Sequence, residues 1–507
     1  MGTALVIATL FGYAVAQAPV CPARPAPVPM PSPPPALLEA ASAWSASLCA
    51  AAVAAGVPSV QFHAAYRGAE TPLVAGACGL ASREPAANAT RATLYRIASV
   101  SKLFPALLLA QLADAHAVVA DAPYARYVPE FRVYDPWEGS NGSTITLRHL
   151  ASHMGGLGRT TPPAVATLAD ALAAVAGQAG GMTAPAGLAP HYSNFGFDLL
   201  GHALAERILN SSYSAAVAAR VITPLGLQGG TGFNFSLDVM TRLATGYTDD
   251  GIIPVPFAPS GFMEPEGGAY STAENLTSLV DAIAAVASGG GGAAATALGL
   301  SPAAARDLLR PLWISADGTF QQGAPWEMFQ LPAGSTAGVL VRGKDGGLTG
   351  YTSYVGVVPE LRLSVAMLWN ADSVGAIPAA YAFASLVPPL IDALVALQPG
   401  PSPGEVPMDF VGTYASVTNV LHSGVVSFAN GTLVFDSFLT GRAPLAAVSG
   451  LADVFMLFSD PGVPGQPCAV LFGGAPNAYL AFARNATSGS VSGFSAPFTF
   501  ADAWIRL

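Results

Sequence analysis

Tyr95-Arg96-Ile97-Ala98-Ser99-Val100-Ser101-Lys102 leads into an apolar run, Leu103, Phe104, Leu107, Leu108, Leu109 and Leu112, with helical spacing. If Ser99 opens that helix, Lys102 lies one turn on, at i+3, on the same face. A serine hydroxyl is a poor nucleophile until a base takes its proton. A lysine amine can be that base only if burial or neighbouring positive charge lowers its pKa. A helix N-terminus adds free N–H groups and a positive dipole end for a developing oxyanion. Ser-x-x-Lys alone is a weak signal, because a capping serine and a solvated lysine share the spelling. Composition strengthens it. Of 21 Lys+Arg, only Lys102 and Lys344 are lysine. Arginine stays charged in proteins, whereas lysine serves as a general base or a compact point charge. A solvated role for Lys102 is therefore the weaker reading.

Two further stretches carry polar groups suited to a cleft. Pro190-His191-Tyr192-Ser193-Asn194-Phe195-Gly196 precedes a helical run from Phe197 to Leu209. Tyr-x-Asn at such a junction can aim a phenol and an amide into one cleft; the alternative is a buried tyrosine and an asparagine cap. Arg342-Gly343-Lys344-Asp345-Gly346-Gly347-Leu348-Thr349-Gly350-Tyr351 places Lys344 on or beside a strand. A hairpin follows, Ser353 to Val358 and Leu361 to Trp369 around Pro359-Glu360. In Leu150-Ala151-Ser152-His153-Met154-Gly155-Gly156-Leu157, His153 reads as a structural histidine that fixes a glycine-rich loop by hydrogen bonds. No Gly-x-Ser-x-Gly occurs, so an α/β-hydrolase elbow is unsupported.

Composition bounds the rest. At 507 residues the chain is long enough for more than one domain. A net charge of -10 with no basic patch argues against nucleic-acid binding. No Cys/His cluster has metal spacing, and no cofactor motif is present. Ala4 to Ala16 is a short apolar run ending in small-x-small, which reads as a signal peptide over 1–18, although its start lacks Lys and Arg. An uncleaved membrane anchor is the alternative. Asn-x-Ser/Thr begins at Asn88, Asn141, Asn210, Asn234, Asn275, Asn430 and Asn485, against four other asparagines. That excess points to a glycosylated, secreted protein. Cys21, Cys49, Cys78 and Cys468 could pair there in three ways, or remain as small buried apolar residues.

Along the chain, residues 19–36 are a proline-dense tether. Residues 37–398 form one domain: a helix from Leu37 to Ala55, a strand through Val60, Phe62, Ala64 and Tyr66, a second from Leu73 to Ala81, then the Ser99 helix. Ser288 to Thr296 reads as a flexible insertion before a helix from Ser301 to Leu312. Ala376 to Leu397, interrupted by Pro388-Pro389 and Asp392, reads as a buried helix on a sheet, with a membrane span as the lesser alternative. Residues 399–407 are a linker, and 408–507, with runs such as Val425 to Phe428, Leu433 to Phe435 and Val454 to Phe458, are a small antiparallel β domain.

Ser-x-x-Lys, Tyr-x-Asn and Lys-x-Gly in this order, with Gly267-Gly268-Ala269-Tyr270-Ser271-Thr272-Ala273 and Gly346-Gly347-Leu348-Thr349-Gly350-Tyr351 beside them, resemble the serine β-lactamase and penicillin-binding-protein superfamily. The resemblance is nearest to class C β-lactamases and their esterase, D-amino-acid peptidase and eukaryotic β-lactamase-like relatives. It covers about Leu37 to Leu397, and the stretch from Asp409 to Tyr414 is similar to the β-barrel-like appendage of many relatives. It implies an α/β (α+β) fold: an antiparallel sheet flanked by helices, a helical subdomain and a small C-terminal β domain. It implies a serine hydrolase working on a small-molecule or peptide ester or amide through an acyl-enzyme, without metal or cofactor. Ser99 would be acylated, Lys102 would accept its proton, and Tyr192 would share the proton shuttle. Asn194 would orient substrate and lysine, Lys344 would keep the tyrosine network electropositive, and the N–H groups of Ser99 and Gly347, beside Gly346, would form the oxyanion hole. Two ammonium groups near one phenol are then expected to lower its pKa and each other's.

Two residues depart from the pattern. The middle residue of Lys-x-Gly is usually a small hydroxyl residue that helps to bind a substrate carboxylate. Here it is Asp345, which should repel an anion and can pair with Lys344, so penicillins are expected to be poor substrates and neutral esters or amides better. Pro105 removes a helical bond to Ser101, and a kink is expected there. Both give a competing expectation, an extracellular binding or structural protein that kept the fold without turnover.

Overall fold

The computed structural model describes residues 30–139, 144–177, 181–248, 251–289, 292–331, 339–372, 379–397, 408–417, 423–429, 432–437, 441–447, 454–457, 471–472, 475–476, 479–495 and 503–507. The signal peptide, most of the tether, the 399–407 linker, Cys21, Cys468, Asn141 and Asn430 lie outside them. The chain divides into two compact units, one holding 29–331 and 339–389 and the other 390–507.

In the first unit the strands are β1 (Ser59–Tyr66), β2 (Val74–Arg83), β3 (Ala86–Asn88), a separate pair β4 (Tyr95–Arg96) and β5 (Tyr270–Ser271), β6 (Trp313–Ile314), β7 (Phe320–Gln322), β8 (Glu327–Gln330), β9 (Leu340–Leu348), β10 (Tyr351–Val358) and β11 (Leu363–Trp369). The helices are α1 (Pro35–Ala54), α2 (Leu103–Asp114), α3 (Leu147–Ala151), α4 (Leu168–Ala176), α5 (Asn194–His202), α6 (Tyr213–Val217), α7 (Leu237–Arg242), α8 (Glu264–Gly267), α9 (Ala273–Ala287), α10 (Gly292–Leu298), α11 (Pro302–Leu308) and α12 (Ala379–Leu397), of which the residues from Leu390 on fall in the second unit.

Nine strands make one antiparallel sheet in the order β3-β2-β1-β11-β10-β9-β8-β7-β6. β1 is buried on both faces, because different helices cover its alternating side chains. Phe62 meets Trp44 of α1 edge to face at 6.0 Å. Its neighbour His63 points the other way and bonds Thr277 Oγ1 of α9 at 2.8 Å. The buried stripe of α1, Leu37, Ala41, Trp44, Leu48 and Ala52, recurs every three or four residues. Although α1 is long and apolar enough to cross a membrane, that stripe lies in the core. Cys49 of α1 is disulfide-bonded to Cys78 of β2, with Cα atoms 6.1 Å apart.

The helical layer packs α2, α3, α5, α6 and α9 into one apolar cluster around Phe104, Leu107, Leu199, Tyr213 and Ile283. Pro105 is the third residue of α2, in the first turn, where a missing N–H costs little. The expected interior kink gives way to a change from 3₁₀ to α at Lys102–Leu103. The Gly/Ala run is not wholly an irregular insertion: Gly292–Leu298 is helical, because its alanines are the best helix formers. Pro388 and Pro389 lie within α12, which passes through them, and Phe383 of α12 sits against Gly356 of β10.

In the second unit, eight antiparallel strands from Gly412–Ser416 to Ala503–Arg506 pair in a ring, and the first also pairs with the last. Closure removes the exposed edges of a small sheet. Its core is aromatic: Tyr414, Phe435, Phe482, Phe494 and Trp504, with Phe494 stacked on Trp504 at 5.3 Å.

Candidate active site

Ser99 and Lys102 occupy a 3₁₀ turn, Ala98–Lys102, at the entrance to α2. The tighter turn still puts i and i+3 on one face, and Lys102 Nζ lies 3.0 Å from Ser99 Oγ. Ala98, just before the serine, has a left-handed backbone with φ 44°, a strained conformation for a residue with a Cβ. Ser101, within the same motif, accepts the Ala269 N–H at 3.0 Å and locks the turn to the segment leading into β5.

The Tyr-x-Asn stretch meets this turn. Ser193, rather than Asn194, caps α5, its Oγ accepting the Gly196 N–H at 2.9 Å. That leaves the neighbouring side chains free to point at the turn. Tyr192 Oη donates to Ser99 Oγ at 2.7 Å, and Asn194 Oδ1 accepts from Lys102 Nζ at 2.8 Å. His153 accepts the Ser193 N–H at Nδ1 (3.1 Å) and stacks on the Tyr192 ring at 4.0 Å. Burial holds the His153 pKa well below the usual histidine range, so the ring is neutral and its role there is to hold the phenol in place. The Arg159 guanidinium lies 4.7 Å from the centroid of the Tyr192 ring.

β9 supplies the third side. Lys344 is fully buried, 5.4 Å from the Tyr192 ring centroid. Its Nζ meets Glu327 Oε1 of β8 at 2.6 Å and Asp345 Oδ1 at 3.1 Å. Asp345 also presents its N–H to Glu327 Oε2, at 3.4 Å. Strand alternation puts the Gly347 N–H on that same side of β9, away from β10. Gly346 touches the Ser99 turn: a Cβ there would come within 2.5 Å of the Ile97 carbonyl oxygen and 2.9 Å of the Ser99 nitrogen. Ser353 of β10 completes the junction, its Oγ donating to the Ile97 carbonyl at 2.7 Å. Every site residue expected from the sequence therefore lies in one neighbourhood. Beside it opens a cleft of about 260 Å³ lined by His153, Pro190, Tyr192, Phe320, Gln322 and Glu327. Among the described residues no group of three His, Cys, Asp or Glu is placed to hold a metal ion.

The electrostatics differ from expectation in two respects. Lys102 does behave as expected: burial, then the Lys344 charge, lowers its pKa to about 7. Lys344 does not. Burial alone would lower it, but Glu327, Tyr192 and Asp345 outweigh that and raise it, so it stays a cation. Tyr192 is also raised rather than lowered, because burial outweighs the pull of Lys344 and the Ser99 hydrogen bond. The sequence reading overlooked Glu327, which neutralises Lys344; nothing in Trp326-Glu327-Met328 marks it. It also overlooked Asp198 and Glu266, whose carboxyls lie near Lys102. Asp198 left a trace, as the single charge within the apolar run Phe195 to Leu200.

A family model described as Beta-lactamase matches residues 46–385. The human protein "Putative beta-lactamase-like 1" is 34% identical over 420 residues, 79% of this chain and 79% of its own length. Esterase EstB of Burkholderia gladioli is 32% identical over 252 residues, 41% of this chain and 61% of its own length. The octameric penicillin-binding protein homologue from Pyrococcus abyssi has a similar structure, with TM-score 0.57 at 19% identity, covering 92% of this chain and 99% of that one; it shows likeness of fold.

Proposed function

Because the chain belongs to the β-lactamase family of serine hydrolases, we propose that it is a secreted hydrolase that acylates Ser99 with neutral esters or amides. One observation carries the reading: Lys102 Nζ and Tyr192 Oη both meet Ser99 Oγ. Lys102 Nζ has two other partners, Asn194 Oδ1 at 2.8 Å and the Glu266 carbonyl at 2.7 Å, and both only accept. An uncharged amine spends its two N–H bonds on them, and its lone pair then faces the Ser99 hydroxyl. A pKa of about 7 makes that uncharged form available near neutral pH.

Ser99 Oγ attacks the substrate carbonyl as its proton passes to Lys102. The oxyanion forms between the N–H groups of Ser99 and Gly347. Tyr192 then delivers a proton to the leaving group and is reprotonated with the one Lys102 had accepted, and Ser99 is left esterified. Water, deprotonated through Tyr192 and Lys102, releases the acid and restores Ser99. Lys344 stays charged and favours negative charge on the phenol as it relays protons.

Asp345 bears on the substrate. Its carboxyl is held down to about 2 and its side chain is 75% exposed, so a full negative charge stands at the mouth of the site. This supports neutral acyl donors over penicillins. The Cys49–Cys78 disulfide and the exposed sequon residues Asn88, Asn210, Asn234 and Asn485 support an oxidising, exported setting. A membrane-anchored form would differ only in its N-terminus.

The test is labelling with a fluorophosphonate and with a fluorescent penicillin, beside Ser99→Ala. Fluorophosphonate labelling lost in Ser99→Ala, with weak penicillin labelling, is the expected result. No labelling of the folded wild-type protein would leave the binding-protein reading in its place.

A further inference from the structure

The contacts around Lys102 extend one shell further than the reaction needs. The Glu266 carbonyl that accepts from Lys102 Nζ belongs to a residue whose own N–H donates to Asp198 Oδ1 at 3.2 Å. Asp198 therefore holds the residue that holds the lysine. It lies on α5 four residues after Asn194, so one helix face presents both an amide partner of Lys102 and this carboxyl. Asp198 is fully buried. Thr161 Oγ1 donates to Asp198 Oδ2 at 2.6 Å and lies 3.4 Å from Glu266 Oε2. The one Thr161 hydroxyl thus touches both carboxyls, which places them side by side.

We infer that Asp198 and Glu266 are positioning residues that share one proton and one negative charge beside Lys102, anchoring the carbonyl that receives its N–H and setting how readily the amine loses its own proton. Two carboxyls in such contact do not both ionise, since like charges disfavour the second loss. Burial, followed by the charge of its partner, keeps Asp198 well above the usual carboxylate range, and burial raises Glu266 too. The groups facing Lys102 are Lys344 from β9, Glu327 from β8, Asp198 from α5, Glu266 from α8, the Tyr192 phenol and the neutral His153 ring. Burial and Lys344 push its proton off, and the carboxyl pair holds it on. Facing Asp198 are Glu266, Lys102 and, from α6, the Tyr213 phenol. Without the pair's charge, Lys102 would be uncharged at a lower pH.

The inference rests on the acyl-enzyme reading of Ser99, and one experiment separates the two. The rate of fluorophosphonate labelling of Ser99 is followed from pH 5 to 9 in the wild type and in the isosteric double variant Asp198→Asn/Glu266→Gln. Wild-type labelling should rise through a midpoint near 7, where Lys102 loses its proton. In the double variant the midpoint should fall by about half a unit or more, so labelling at pH 6, relative to the plateau, rises about two- to threefold. Each single amide variant leaves one carboxylate and should move the midpoint less. Should the double variant not fold, Asp198→Asn/Glu266→Ala removes the same charge. A merely structural pair would scale the rate alike at every pH, so an unmoved midpoint with intact Ser99 labelling overturns this inference alone. No wild-type labelling at any pH overturns the acyl-enzyme reading with it.

Discussion

Gly346→Ala tests how closely β9 must approach the Ser99 turn. A Cβ at 346 would lie 2.5 Å from the Ile97 carbonyl oxygen, 2.5 Å from Ser353 Oγ and 2.9 Å from the Ser99 nitrogen. The serine hydroxyl can rotate away, but only by giving up its 2.7 Å bond to the same Ile97 oxygen. The other two contacts are backbone and cannot swing aside. Relief has to come from separating β9 and the turn by on the order of 1 Å, since carbon contacts settle at roughly 3.5–4.0 Å. Overpacking of this kind costs about 1–3 kcal/mol, so the variant should fold with a lowered melting temperature. The larger loss is catalytic. Moving the Gly347 N–H by that amount withdraws one oxyanion donor, and a lost donor lowers the rate roughly 10²- to 10³-fold. Hydrolysis of p-nitrophenyl acetate and thermal melting of the same samples measure the two effects. Gly347→Ala is the folding control, because a Cβ there has nothing within 4 Å and should leave the melting temperature unchanged. A folded Gly346→Ala protein that hydrolyses the ester within about threefold of wild type would refute the assigned oxyanion geometry.

Three further outcomes rest on individual contacts. Asp345→Ser removes the exposed carboxylate 3.1 Å from Lys344 and should raise the rate of acylation by penicillin about tenfold, with the neutral ester changed less; equal effects on both substrates would show that Asp345 does not discriminate by charge. Cys49→Ala/Cys78→Ala opens a cross-link between residues 29 apart and should lower unfolding free energy by about 3–4 kcal/mol in denaturant titration; a loss below about 1 kcal/mol would mean that α1 is held by packing alone. Glycan mapping of the protein expressed through a eukaryotic secretory pathway should find sugars at Asn88, Asn210, Asn234 and Asn485 but not at Asn275, whose Nδ2 is committed to the Leu227 carbonyl and Thr231 Oγ1; an occupied Asn275 would contradict that packing.

How much of this was legible in the sequence depends on the range over which each feature is encoded. Ser99 and Lys102 are three residues apart, so a single turn fixes their relation and the motif states it. Tyr192 and Asn194 likewise announce themselves as a pair; alternation revealed β1, and two apolar runs around the Pro359-Glu360 turn revealed β10 and β11. The Gly/Ala segment misled because glycine implies freedom while the alanines beside it favour helix. Pro105 misled because a helix starting at Ser99 would hold it in its interior; a 3₁₀ turn comes first, so the proline falls in the first turn of α2. The electrostatic errors have a different origin. Lys102 meets Asn194 across 92 positions and Glu266 across 164, and Lys344 meets Glu327 across 17. No local pattern reports such encounters. The reacting groups could be named because their chemistry requires particular residue types, whereas their charge states are set by whichever carboxyls the fold brings beside them. The two lysines illustrate this. Both are fully buried, yet Lys344, paired with Glu327 and Asp345, keeps its proton, while Lys102, whose direct partners Asn194 Oδ1 and the Glu266 carbonyl carry no charge, is the one able to release it. Partner chemistry rather than burial therefore decides which of them can act as the base.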